Sequence, residues 1–329
     1  MTTESTTGNG NLNTEVIQWG YQYLSNHGYI LKCERPENVQ NTPWSCVVRF
    51  VTSKGYIYLK HTPHLLALEA NILRMLRDHS CPVAEIIAHN TKLDCFLMKD
   101  AGKPLREILK KQFNAELFCN AINQFTFMQL SVADHVNNLI DIGVPDWRLN
   151  KLADLFAQLL IQKDLLIEDG LLENEIGQLE RLIPTVTHLC NELSGYSIKQ
   201  SIVQPDFNDN NTLIDESQNI TIIDLGEIVI SHPFFSLLNG LQQMEKHHAL
   251  TNGSNDYLKI MDACLKNYMA FESRENLLNA FELARPLWFI YGALAGHRLI
   301  EACGKSKIMS YQHGKFVSSL REFIAAVEQ

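Results

Sequence analysis

Apolar residues follow two rhythms along the chain, one in the first hundred residues and another after them. Thr14 to Asn26 sets Val16, Trp19, Tyr23 and Leu24 at helical spacing, with Asn13 as its cap. Trp44 to Val51 and Gly55 to Lys60 are then rich in β-branched and aromatic residues, and the short polar stretch Thr52 to Lys54 between them predicts a hairpin. Leu65 to Arg77 returns to helical spacing, with Leu65, Leu68, Ile72, Leu73 and Leu76 on one stripe. Two more strands are predicted at Ala84–His89 and Cys95–Lys99.

After Asp100-Ala-Gly102 the helical period dominates, over Pro104–Lys111, Glu116–Val136, Leu149–Gln162 and Glu173–Leu193. A β island interrupts it with Ser201–Gln204, Thr212–Ile214 and Ile220–Asp224, and helices resume from Pro233. The pattern predicts an α+β chain in three parts: a tail over 1–12, a strand-rich lobe over 13–100 and a mostly helical lobe over 101–329.

Composition narrows the function classes. The net charge of −9 comes with no Lys/Arg cluster, which argues against a nucleic-acid partner. Lys/Arg and Asp/Glu balance over residues 1–100, so the whole deficit lies in the helical part. That excess serves solubility or attracts cations. The Thr-, Ser-, Gly- and Asn-rich start predicts a disordered tail rather than a signal peptide, and the apolar run Pro286–Gly296 is shorter than the ~20 residues a membrane span needs. None of the eight cysteines forms a C-x-x-C pair; reduced core thiols and a cytoplasmic location are expected.

The chemistry concentrates in the island. Asp206 opens a polar loop after a strand, Asn211 stands five residues on, and Asp224 closes the third strand. Two carboxylates and an amide oxygen at one hairpin edge are hard ligands of the kind Mg²⁺ takes alongside substrate phosphates. Phosphoryl transfer needs these parts: a carboxylate to orient a hydroxyl, and metal ligands that bridge the phosphates. Lys60, ending an apolar strand, needs a partner if buried, and Glu69 is the first acid after it; an edge lysine reaching solvent beside an unrelated surface acid is the equal alternative.

Gln204-Pro205-Asp206-x-x-x-x-Asn211 followed by Ile223-Asp224-Leu225-Gly226-Glu227 resembles the aminoglycoside phosphotransferase and choline kinase family, whose pattern is His-Gly-Asp-x-x-x-x-Asn and then Ile-Asp-Trp-Gly-Asp. Ser231-His232-Pro233-Phe234-Phe235-Ser236-Leu237 and Thr42-Pro43-Trp44-Ser45 are similar to one bacterial subgroup, so the likeness runs from about Trp44 to beyond Leu237. It implies a two-lobed protein-kinase-like fold with a small antiparallel sheet in the N-lobe. It also implies an ATP- and Mg²⁺-dependent transferase acting on a hydroxyl of a small molecule.

The resemblance makes Asp206 the catalytic carboxylate and gives Mg²⁺ to Asn211 and Asp224. Lys60 would hold the α- and β-phosphates and pair with Glu69, and the strand ending at Leu97, Met98 and Lys99 would offer backbone groups to adenine. Gln204 replaces the usual His, and Pro205, Leu225 and Glu227 also depart from the pattern. No glycine-rich loop lies between Arg35 and Phe50, which leaves Asn41–Ser45, with the Ser45 hydroxyl, to meet the phosphates. A catalytically silent nucleotide-binding protein and a protein kinase are the rival readings. Asp209 and Glu227 are expected near the site as supporting or solvated acids. The acidic excess points to a cationic or amine-bearing acceptor. His61-x-x-His64 reads as a loop, His247-His248 as a solvated helix end, and Trp288, Phe289 and Tyr291 as core.

Overall fold

The structure, a computed structural model, describes residues 14–328. The expected tail and the Asn13 cap lie outside the described residues. Helix α1 (Thr14–Asn26) precedes strands β1 (Glu37–Asn41), β2 (Cys46–Thr52) and β3 (Gly55–His61), then α2 (Glu69–Asp78), β4 (Ile86–Asn90) and β5 (Cys95–Lys99). The five strands form one antiparallel sheet in the order β1-β2-β3-β5-β4. Along β2, Val48 and Phe50 are buried; with Ile57 and Leu59 of β3 and Leu97 of β5 they build a small core that α1 covers through Val16 and Leu24. Period-2 burial on the sheet meets period-3.6 burial on the helix, as one-sided packing requires.

Strand β1 has no counterpart in the apolar pattern of the sequence. Its sequence Glu-Asn-Val-Gln-Asn is polar and mostly exposed, because it is an edge strand with no core face of its own.

The second part is helical. Short β6 (Lys103–Pro104) leads into α3 (Leu105–Leu109), α4 (Ala115–Val132), α5 (Val136–Asp141), α6 (Leu149–Ile161) and α7 (Lys163–Glu168). The helix expected over 173–193 is two, α8 (Glu173–Arg181) and α9 (Ile183–Leu193). Pro184, at the start of α9, has no amide to continue the earlier helix. Strands β7 (Ser201–Val203), β8 (Thr212–Ile214), β9 (Ile220–Ile222) and β10 (Val229–Ser231) follow, then α10 (Phe234–His248), α11 (Asn255–Lys266), α12 (Arg274–Cys303), α13 (Lys305–Gln312) and α14 (Lys315–Val327).

The island is two ribbons, β6-β8-β9 and β10-β7, rather than one hairpin. Between β5 and α3, Gly102 takes φ +110°, and a Cβ there would stand 2.2 Å from the Ile214 carbonyl oxygen. Only glycine lets the linker lie against β8 this closely. All eight cysteines are free thiols, and burial pushes Cys95 and Cys190 up to about 12. Among the described residues no helix is long and apolar enough to cross a membrane.

Candidate active site

Lys60 faces inward from β3 and is 4% exposed. Its Nζ lies 2.6 Å from Glu69 Oε2 in the first turn of α2 and 2.5 Å from Asp224 Oδ1 after β9. The paired arrangement of the two sequence-level alternatives is therefore the one present. Burial alone would discharge the ammonium; Asp224 and Glu69 outweigh it and hold Lys60 above its ordinary value. Glu69 Oε1 also accepts from the Leu225 amide at 3.0 Å. A Cβ on Gly226 would stand 3.2 Å from Glu69 Oε2, so glycine keeps this approach open. One buried lysine thus ties the sheet, α2 and the strand bearing Asp224 together.

Asp224 adopts φ +63°, a left-handed conformation uncommon outside glycine but tolerated by aspartate. Gln204 braces it: Nε2 donates to the carbonyls of Ile223 at 2.8 Å and Asp224 at 3.0 Å, and the Gln204 amide donates to Ser236 Oγ at 2.8 Å. The glutamine is 1% exposed, and its Oε1 is buried without a partner. Glutamine at this position therefore does a specific structural job with both amide hydrogens.

The loop from Asp206 to Asn211 is organised by amides. Asn208 Nδ2 donates to Asp206 Oδ1 at 2.7 Å and Asn211 Nδ2 donates to Asp206 Oδ2 at 2.9 Å; both also donate to the Asp206 carbonyl. Asn208 Oδ1 in turn accepts from the amides of Asn210 and Asn211. Sequence reasoning missed Asn208, although the loop's run of Asn and Asp was visible. Part of Asp206 faces open solvent, while protein crowds the rest of the side chain. That desolvation, with the negative Asp224 nearby, pushes the carboxyl up to about 6 against the pull of Asn211.

Asp209 is neither solvated nor adjacent to open space. Its side chain is fully buried, with Arg106 Nε at 2.8 Å on Oδ1 and His248 Nε2 at 2.7 Å on Oδ2. The Arg106 amide donates to the Asp209 carbonyl at 3.0 Å. The loop is thereby tied to α3 and to the last residue of α10. This corrects the reading of His248 as solvated: its side chain is 2% exposed because it caps a buried carboxylate.

Several expectations shift at the cleft edge. Leu97 is buried in the small core, and Leu97 and Met98 are laddered to both β3 and β4. The Lys99 amide donates to Glu85 O at 2.9 Å, and its side chain pairs with Glu85 at 2.6 Å. Their backbone is largely committed to the sheet, and uncommitted backbone begins beyond it, at Ala101. Ser45 is buried, with Oγ unpartnered. His61 ends β3 and His64 sits in a short turn, 3.1 Å from Asp94. Tyr291 is core; Trp288 and Phe289 are half-buried against it.

Glu227 is half-buried and carries no hydrogen bond or ion pair on its carboxyl among the described residues. Burial first, then Asp224, push it up to about 8, against Lys60 and Arg298. An acid raised in the folded state contributes stability below its unfolded value near 4.3, and loses it as pH rises through the folded value. Glu227→Gln is therefore expected to match the parent's Tm at pH 4. Its advantage should grow to on the order of 5 °C by pH 8 and stay level above that. Thermal melts in EDTA across this range check it; a constant offset refutes the assignment.

The free oxygens suit Mg²⁺. Asn211 uses its NH₂ on Asp206, leaving Oδ1 open, and Asp224 uses Oδ1 on Lys60, leaving Oδ2 open. One carboxylate and one amide oxygen fit an ion that fills its shell with waters and phosphates. Among the described residues no three His, Cys, Asp or Glu side chains form a cage that would hold a metal unaided.

No protein-family model matches the chain, and no curated protein matches it by sequence. Solved structures do. A Plasmodium vivax ethanolamine kinase is 12% identical, with a TM-score of 0.63, over 96% of this chain and 91% of that one. A choline kinase, LicA, from Streptococcus pneumoniae is 10% identical, with a TM-score of 0.57, over 94% and 100%. The fold is that of the small-molecule kinases. An amicoumacin kinase in complex with AMP-PNP, Ca²⁺ and its antibiotic shares it at a TM-score of 0.56 and 13% identity, over 94% and 96%. In this kinase-like fold Lys60 reaches Asp224 from the sheet, and the Asp206–Asn211 loop of the helical part lies beside it, with the Asn211 carbonyl accepting from the Ile223 amide at 3.0 Å.

Proposed function

We propose that the chain is an ATP- and Mg²⁺-dependent phosphotransferase that moves the γ-phosphoryl group onto a hydroxyl of a small molecule. The observation that carries this reading is Asp224, held at positive φ, with one oxygen on the buried Lys60 and the other free, beside the carboxyl of Asp206. A scaffold has no need of two neighbouring carboxylates in one cleft. Gln204 does not favour a silent protein, since it satisfies two carbonyls.

In this reading the sheet part binds the nucleotide and the helical part the acceptor. Lys60 contacts the α- and β-phosphates, Ser45 and its turn the outer phosphates, and the backbone at Ala101 the adenine. Asn211 Oδ1 and Asp224 Oδ2 hold Mg²⁺, which when bound neutralises charge on the phosphates. Asp206, its oxygens fixed by Asn208 and Asn211, orients the acceptor hydroxyl and takes its proton. Amine-bearing alcohols fit the acidic excess of residues 101–329.

The test is calorimetry of ATP binding with Mg²⁺ and with EDTA, followed by ADP release against pooled amine-bearing and neutral alcohols at two ionic strengths. The expected result is Mg²⁺-strengthened binding and ADP release with at least one pool. Equal affinity with and without Mg²⁺ would overturn the metal site.

A further inference from the structure

The turn between β1 and β2 has no glycine and is stiff. Pro43 fixes one φ, Thr42 N and Oγ1 donate to the Ser45 carbonyl at 2.9 and 3.1 Å, and the Ser45 amide donates back to Thr42 Oγ1 at 3.0 Å. Val47 pairs with Lys60 across β2 and β3, so the turn lies about two residues, roughly 7 Å, beyond the buried lysine at the end of the sheet. A stiff turn cannot fold itself over a ligand. Its position depends on what it docks against.

It docks across the lobes. Trp44 packs against the large core of the helical part, and its ring meets Tyr311 of α13 edge-to-face, with centroids 5.1 Å apart and planes at 86°. Helix α13 is eight residues long and lies between Gly304 at φ +91° and Gly314 at φ +79°. Nothing lies within 4 Å of where a Cβ on Gly304 would be. The helix is itself anchored: Ile308 is buried, Lys305 pairs with Glu168 at 2.6 Å, and the Gly314 amide donates to the buried Asp169 at 2.7 Å, so α13 offers the turn a fixed base.

We propose that Trp44 and Tyr311 are positioning residues for the transfer. Their contact holds the Thr42–Ser45 turn, with the buried, unpartnered Ser45 hydroxyl, in place over the phosphates. This rests on the phosphotransferase reading.

The test uses the full chain carrying 5-fluorotryptophan, with Tyr311→Ala and Tyr311→Phe. Trp44 is assigned in the ¹⁹F spectrum by Trp44→Phe. An edge-to-face pair is worth about 5-fold in an equilibrium. Tyr311→Ala should raise the Mg–ATP KM and the ADP release rate by about that factor without lowering kcat. It should also move the Trp44 resonance alone. Tyr311→Phe, which keeps the ring, should stay within about 2-fold of the parent, and Tm should fall by no more than about 3 °C in either variant, because Tyr311 is 56% exposed. An unmoved Trp44 resonance, or unchanged KM and release in Tyr311→Ala, overturns the proposal. Absence of nucleotide binding in the parent protein itself would instead overturn the phosphotransferase reading, and this proposal with it.

Discussion

Asp206→Ala is expected to lower phosphoryl transfer by on the order of 10²–10⁴-fold while changing Mg–nucleotide affinity by less than about 3-fold. On the proposed function the carboxylate acts on the acceptor hydroxyl. Its removal frees the two asparagine amides it receives, 2.7 and 2.9 Å away, to bond water instead. Asp206→Asn should behave differently from the alanine variant. An amide in place of the carboxylate brings an NH₂ against one of the two donors. Asn208 cannot turn to meet it, because its own oxygen already accepts from the amides of Asn210 and Asn211. Asn211 must turn instead, which swings its oxygen towards residue 206 and away from the metal position. Asp206→Asn is thus expected to lose transfer and also part of the Mg²⁺ dependence of nucleotide binding. Single-turnover kinetics and calorimetry on both variants separate the effects. Transfer that survives Asp206→Ala removes Asp206 from the chemistry.

Lys60→Met should destabilise the metal-free protein by about 3–5 kcal/mol, because it leaves the nearly inaccessible Glu69 carboxylate without its cation. Glu69→Gln should cost clearly less, since Lys60 keeps Asp224 at 2.5 Å. Lys60→Met combined with Glu69→Leu should recover much of the loss, as apolar replacement of a buried pair often does. It should nevertheless bind nucleotide weakly. Urea unfolding of these variants, with Glu69→Leu alone added to close the double-mutant cycle, measures the coupling. Equal costs for Lys60→Met and Glu69→Gln would mean that Asp224 does not share the charge.

Much of this arrangement was legible in the sequence, for identifiable reasons. Strands β2 and β3 and helix α2 announce themselves because each buries one face, and the period of that face is written in Val48, Phe50, Ile57, Leu59, Ile72 and Leu73. Asp206, Asn211 and Asp224 were marked by polar residues interrupting apolar strands. What escaped has no local signal. Strand β1 has no buried face. Arg106 and His248 matter only because α3 and α10 bring them to Asp209, 103 and 39 residues away in sequence. The resemblance gives the adenine contact to Leu97–Lys99, and only the sheet pairing shows how much of that backbone the strands already use. Long-range electrostatic closure is a property of the tertiary fold, and a periodicity argument has no access to it.

The left-handed backbone at Asp224 also bears on how such a protein drifts over generations. Only glycine, asparagine and aspartate occupy that region routinely. Changing one base turns an aspartate codon into one for asparagine or glycine, so the two replacements the backbone tolerates best are also the nearest mutationally. Either would weaken or remove the second anion on Lys60, and with it the proposed metal ligand, with little conformational penalty. On the phosphotransferase reading, the fold therefore stands one step from a well-folded, non-catalytic descendant, and selection for the reaction, rather than for foldedness, would keep aspartate there.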